Sequence, residues 1–232
     1  MCEVVRSARG GEIGVITAAT PPVNAPSQPG RAGLEAAVRT GLADAAVQAM
    51  VLICDGATFI AGADIREFGK PLAEPSLVPV IDTMEGAAKP IVAAIHGTAL
   101  GGGLEVALGC HYRVAVPSAR VGLPEVNLGL LPGAGGTQRL PRLIGAEKAL
   151  DLMVQGTHVP AAEALQLGIL DELIEGDLKT GALAFARRVL AENRGVKRAS
   201  ERPVAPVAAD SRRPSTSSRR SRPRPPCPLP KA

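Results

Sequence analysis

The sequence predicts an α/β protein, and three observations predict it. Continuous apolar runs of strand length stand at Met50–Cys54 (MVLIC), Ile91–Ile95 (IVAAI) and Tyr112–Val116. Stretches of helical character lie between and after them, and Gly- or Pro-rich breaks mark the junctions. Apolar runs without polar alternation are typical of strands covered on both faces. With 46% hydrophobic residues but no Trp, one Tyr and three Phe in 232 residues, the core has to be aliphatic.

Taken in order, Glu12–Thr17 reads as a short strand, and the Pro-rich run Pro21–Pro29 as a loop. Gly33–Ala49 has helical character. Met50–Cys54 then leads to a small-residue loop at Ala61–Asp64. Val80–Glu85 reads as helix, and Lys89-Pro90 breaks the chain ahead of Ile91–Ile95. Gly97 and the glycines 101–103 precede a helical stretch at Leu104–Gly109. Tyr112–Val116 opens onto a Pro/Gly-rich segment, Val121–Thr137, and helical patterns resume at Glu147–Gln155, Ala161–Gly168 and Lys179–Asn193.

From about Gly195 the vocabulary changes to Arg, Pro, Ser and Ala without apolar periodicity. Such a segment cannot bury enough surface to offset its ordering entropy, so the expected division is a folded unit at 1–194 and a disordered basic tail at 195–232. Two origins fit the tail: a natural basic extension, or out-of-frame translation of a GC-rich gene. The second is favoured, because the helical pattern runs into the tail with no stop signal. The net charge of +4 belongs to this region. From Arg194 onward there are nine Arg and two Lys against two acids, which leaves −5 for residues 1–193. Nucleic-acid binding is therefore not implied for the body.

Cys2, Cys54, Cys110 and Cys227 are scattered without CxxC spacing, so neither a disulfide framework nor a zinc site is expected, and a reducing cytoplasmic setting fits. No basic region followed by an apolar one comes after Met1. The most apolar stretch, 91–110, carries His96, a glycine cluster and Glu105, which a membrane span would not.

Three segments carry the chemistry. In Phe59–Arg66 (FIAGADIR), small residues after a strand let the backbone approach a ligand, although an ordinary tight turn would use the same residues. In His96–Glu105 (HGTALGGGLE), three consecutive glycines open a helix, which is costly unless the backbone itself is needed. A helix start offers unpaired N–H groups to a developing oxyanion. A dinucleotide GxGxxG reading fails, because Val106 occupies its last glycine position. Glu105 on the first turn could equally serve as a dipole-complementing acid. In the third segment, Val121–Leu140, Glu125 is an acid amid apolar and Gly/Pro residues. Burial there would raise its pKa and fit it for proton transfer, whereas a solvated loop carboxylate would do nothing.

Together, AGAD at 61–64, GGGLE at 101–105 and PEVNLGLLPGAGGTQRL at 124–140 resemble the crotonase (enoyl-CoA hydratase/isomerase) family, in its order and with its two glutamates twenty residues apart. The wording of the third segment is similar to the hydratase part of multifunctional fatty-acid β-oxidation proteins, and the resemblance covers roughly Glu12–Asn193. It implies a crotonase-like spiral of ββα units and hydration of trans-2-enoyl-CoA to 3-hydroxyacyl-CoA. By the same resemblance the backbone N–H groups of Ala63 and Gly102 form an oxyanion hole for the thioester oxygen. Glu105 activates water, and Glu125 delivers a proton to the α-carbon. Asn24, Ala25, Ala61, Gly62, Asp64, Ile65, Arg66, Gly101, Pro132 and Gly133 become candidate contacts to substrate or CoA. The implied partner is an acyl-CoA thioester, with no metal or redox cofactor, coenzyme A being part of the substrate. Self-association into a homo-oligomer is left open.

The sequence departs from the family pattern in places. Pro21-Pro22 replace a lysine often found before the Asn24-Ala25 loop, and Pro26, Pro29 and Gly30 interrupt what should be a helix start. The family's last helices are expected to be missing or replaced by the tail. Two rival readings follow: a Δ3–Δ2 enoyl-CoA isomerase, for which the acid at 125 suffices, and a catalytically impaired fragment that still binds acyl-CoA. No GxSxG elbow supports a hydrolase, and His96, His111 and His158 have no motif around them and read as structural.

Overall fold

Apolar runs that cannot expose either face have to pair with one another, and here they become the centre of one sheet. The computed structural model describes residues 4–62, 67 and 73–204. A hairpin of β1 (Val5–Gly10) and β2 (Ile13–Ala18) leads to helix α1 (Gln28–Ala43). Three turns of one motif follow, each placing a longer strand in a first sheet and a shorter one in a second before a helix. They are β3 (Ala49–Cys54), β4 (Ile60–Ala61) and α2 (Leu77–Glu85); β5 (Ile91–Ile95), β6 (Thr98–Leu100) and α3 (Gly102–Gly109); and β7 (Tyr112–Ala115), β8 (Arg120–Gly122) and α4 (Gly136–Ile144). A 3-10 helix at Glu125–Leu128 is inserted before α4. The remaining elements are α5 (Ala146–Gln155), β9 (Val159–Pro160), α6 (Ala161–Leu167), β10 (Glu172–Leu173) and α7 (Leu178–Ala191). This is the ββα spiral that the family resemblance implied.

The first sheet runs β1-β2-β3-β5-β7-β10, and every pairing after the hairpin is parallel. The second runs β4-β6-β8-β9, with only β8 and β9 antiparallel. All five residues of β5 are fully buried, each large aliphatic one contributing about 1.5–3 kcal/mol by leaving water. One core fills the space between the sheets and α1 to α6. A second lies on the other face of the first sheet, where Val51, Val92, Tyr112 and Val114 meet Ala182, Phe185 and Val189 of α7.

Four differences from the sequence reading have physical causes. Strand β1 was not expected, because VRSARG is an edge strand with four of its six residues exposed and no apolar run. Helix α1 begins at Gln28 rather than Gly33. Pro29 lies in its first turn, where a missing N–H costs nothing, so the prolines start the helix instead of interrupting it. The same helix stops at Ala43, because Ala49 already belongs to β3.

The expected boundary at 194 needs correction as well. The described chain continues to Val204 and packs against the body: Tyr112 donates to the Gly195 carbonyl at 3.0 Å, Lys197 reaches Asp171 at 3.2 Å, and Ala199 is buried. Ten residues of mixed composition thus hold on by discrete polar contacts, which an argument from apolar periodicity overlooks. The rest of the expected tail, 205–232, lies outside the described residues.

Candidate active site

The second sheet aims three chain segments at one place. Strand β4 ends at Ala61, β6 ends at Leu100 immediately before α3, and β8 ends at Gly122 before the 3-10 helix. The backbone ties them together: Gly62 N–H donates to the Leu100 carbonyl and Gly101 N–H to the Gly122 carbonyl, both at 2.9 Å. The glycine run at 101–103 now has a cause. Gly101 caps the helix at φ 55°, ψ −126°, a conformation side chains avoid, and a Cβ on Gly103 would stand 2.0 Å from the Ile60 carbonyl oxygen. Helix α3 therefore meets β4 backbone to backbone. Gly102 occupies the first helical position, so its N–H has no intrahelical acceptor.

These segments wall a cleft of about 510 Å³. Ala61, Gly62, Gly101 and Gly102 form its floor, with Glu105 and Glu125 beside them. The other side is apolar, from Leu77 and Val78 of α2 to Leu128, Leu130 and Leu131. The last three leucines are exposed, Leu131 to 81%. Uncovered apolar side chains around a concave site suit an apolar ligand.

Glu105 is 3% exposed, and one carboxylate oxygen, Oε1, accepts from the N–H groups of Ala134 at 2.7 Å and Gly136 at 2.8 Å. Burial holds its pKa above the usual carboxylate range, against the lowering pull of those two amides and of the Arg139 guanidinium. Glu125 is half-buried and opens the 3-10 helix. Burial raises its pKa too, its own backbone amide opposes this, and the charge of Glu105 raises it further. Its Oε2 is buried with no hydrogen-bond partner among the described residues. The charge of Glu105 disfavours ionisation of Glu125 in one apolar cleft, an arrangement suited to paired acid and base work.

Of the other residues singled out from sequence, Gly133 lines the cleft and Pro132 is buried behind it. Asn24 does not reach the cleft with its side chain. Its Oδ1 accepts from Thr20 N–H at 2.8 Å, and its Nδ2 donates to the carbonyls of Asp55 and Thr58, at 2.7 and 2.8 Å. It staples the 20–24 loop to the end of β3, and Val23 of that loop accepts from Ala61 N–H. Ala25 follows on the same loop. Ala63, Asp64, Ile65 and Arg66 lie outside the described residues.

Two residues were not legible from the sequence. Arg139 is buried against Asp82 and Glu85 of α2 and donates to the Ala134 carbonyl. Buried Arg31 binds the carbonyls of Pro26, Ala73 and Pro75 and the carboxylate of Glu67. Neither stands in a local pattern that marks it: Arg139 lies between Gln138 and Leu140, and Arg31 between Gly30 and Ala32.

Comparison with known proteins agrees with this fold. Residues 8–213 match the family described as enoyl-CoA hydratase/isomerase. The chain is 50% identical over 188 residues to a peroxisomal bifunctional enzyme of Danio rerio, covering 81% of this chain and 26% of that protein. It is 44% identical over 165 residues to a probable enoyl-CoA hydratase of Bacillus subtilis, covering 68% of this chain and 64% of that one. Among solved structures, an enoyl-CoA hydratase of Mycobacterium tuberculosis superposes with a TM-score of 0.76 at 32% identity, over 82% of this chain and 76% of that one. The chain spans about a quarter of the length of the bifunctional relatives it matches. Among the described residues no helix is long and apolar enough to cross a membrane.

Proposed function

The chain belongs to the enoyl-CoA hydratase/isomerase family, and from that premise we propose that it adds water across the double bond of a trans-2-enoyl-CoA, giving a 3-hydroxyacyl-CoA in fatty-acid β-oxidation. The observation that carries this reading is the pair Glu105 and Glu125 in one apolar cleft beside the helix-start N–H of Gly102.

That N–H, with the N–H of Ala63, grips the thioester oxygen and draws electron density from the β-carbon. Glu105, ionised and held by the amides of Ala134 and Gly136, takes a proton from water as the water oxygen bonds to the β-carbon. Glu125, whose pKa is raised by burial and by the charge of Glu105, gives its proton to the α-carbon. The two carboxyls finish with protonation reversed, and exchange with solvent restores them. The leucines at 128, 130 and 131 cover the acyl chain. The chemistry uses only carboxyls and backbone donors of this chain, and the CoA moiety is part of the substrate. The reducing setting read from the cysteines fits a cytoplasmic or peroxisomal compartment, the latter named in several relatives. Cys54 and Cys110 are free and buried, and burial pushes the Cys110 thiol up to about 12.

The test is Glu125→Gln, which keeps shape and loses the proton. Hydration of crotonyl-CoA should fall by at least about 100-fold with acyl-CoA binding nearly intact; retention of more than about a tenth of turnover refutes the assignment. A second reading, Δ3–Δ2 isomerisation, is favoured by the position of Glu125 alone and by the family description. Supplying a 3-enoyl-CoA beside crotonyl-CoA separates the two.

A further inference from the structure

Behind Glu105 stands a chain of polar contacts, buried at Glu85 and Arg139, that the proposed reaction does not use. The Ser200 N–H donates to Glu85 Oε1 at 2.8 Å, and Arg139 Nε donates to Glu85 Oε2 at 2.9 Å. The same guanidinium donates to Asp82 at 2.8 Å and to the Ala134 carbonyl at 3.2 Å. Ala134 N–H then donates to Glu105 Oε1. The Glu85 carbonyl is itself held by Arg198 at 3.0 Å and lies 3.1 Å from the His111 ring.

A buried ion pair is a poor device for stability, since an apolar pair of like volume usually does as well. Glu85 and Arg139 are each 8% exposed at the side chain, so the pair calls for another role. We infer that Arg139 is a positioning residue for Glu105: it holds the carbonyl of Ala134, the residue whose N–H orients the carboxylate, and it is itself held by Glu85 and, through it, by the 198–200 segment. This rests on the reading of Glu105 as the base.

The charged groups around the relay define a test that a merely structural role would not pass. Glu105 faces Arg139 of α4 and Glu125 of the 3-10 helix, while Arg139 faces Asp82 and Glu85 of α2. Arg139 is therefore the cation favouring ionised Glu105. Arg139→Met should lower kcat about tenfold or more with KM within about threefold, and move the acid limb of the pH–rate profile upward. In Arg139→Lys the charge stays and the fork is lost, so kcat should fall while the limb remains near its wild-type position.

The Glu105 carboxyl titration, followed by 13C NMR and assigned with Glu105→Gln, reads the same shift without turnover. A chain inactive on enoyl-CoA that still shows the shift in Arg139→Met refutes the functional reading alone. An active chain whose folded Arg139→Met variant shows no shift refutes this inference alone. Should Arg139→Met fail to fold, an Arg139→Lys variant with wild-type kcat overturns it equally.

Discussion

His111 is fully buried between β5 and the end of α2. Its Nδ1 accepts from Ile91 N–H at 2.9 Å, which leaves the ring proton on Nε2, 3.1 Å from the Glu85 carbonyl. A second proton would confront the Ile91 amide. Burial, with the charges of Arg198 and Arg113, depresses the pKa from 6.5 to about 4, against the pull of the Glu85 carbonyl. The folded-state value lies below the unfolded one, so this contribution is complete above pH 6.5 and is lost as pH falls toward 4. At about 1.4 kcal/mol per pH unit, roughly 3 kcal/mol disappears across that window, a large part of the 5–15 kcal/mol typical of a whole domain. Urea midpoints measured at several pH values from 7.5 to 4.5 give the curve. His111→Asn supplies a control that does not titrate: its carbonyl can take the Ile91 N–H, while the lost contact to Glu85 and the vacated volume cost about 2–3 kcal/mol at pH 7.5. Its curve should be flatter below pH 6.5 by the His111 share. Parallel curves for the two proteins would refute the argument.

Two further outcomes follow from the start of α3. Gly103→Ala puts a Cβ against the Ile60 carbonyl, which is backbone and cannot swing away; a loss of about 3 kcal/mol is expected, read by calorimetry as a Tm lower by roughly 6–12 °C. Gly102→Pro sits at the helical position that tolerates proline and deletes the N–H, while its Cβ would stand 3.2 Å from Leu77 Cδ2, the end of a flexible side chain. With circular dichroism unchanged, hydration should fall by about 100–1000-fold, and a folded variant with full activity would overturn the oxyanion assignment for Gly102.

The fold was readable wherever one residue type had one explanation. Runs such as IVAAI are typical of a doubly covered strand, and β5 has the bounds expected of it. The glycine run at 101–103 demanded a reason in the backbone, and the Ile60 carbonyl supplies it. Asn24 is motif-like in sequence, but that its amide holds two loops together was not legible there. Arg139 and the 198–200 segment stayed hidden for a different reason. Their partners lie 54 to 115 residues away in sequence, and no local pattern records a contact between a mid-chain glutamate and the amide of a distant serine.

Helix α7 is the one helix, among the described residues, that covers the outer face of the first sheet, resting on β3, β5 and β2 with Phe185 edge-on to Tyr112 at 5.7 Å. The consequence appears in time rather than in space. Amides of β3 and β5 have strand neighbours on both sides and cover above and below, so their hydrogens should exchange with deuterium only when the whole molecule opens. Those of α7 need only the helix to lift, and each lifting bares Val51, Val92 and Val114 to water. The slow-exchanging heart of the protein thus lies beneath a cover with a faster clock of its own.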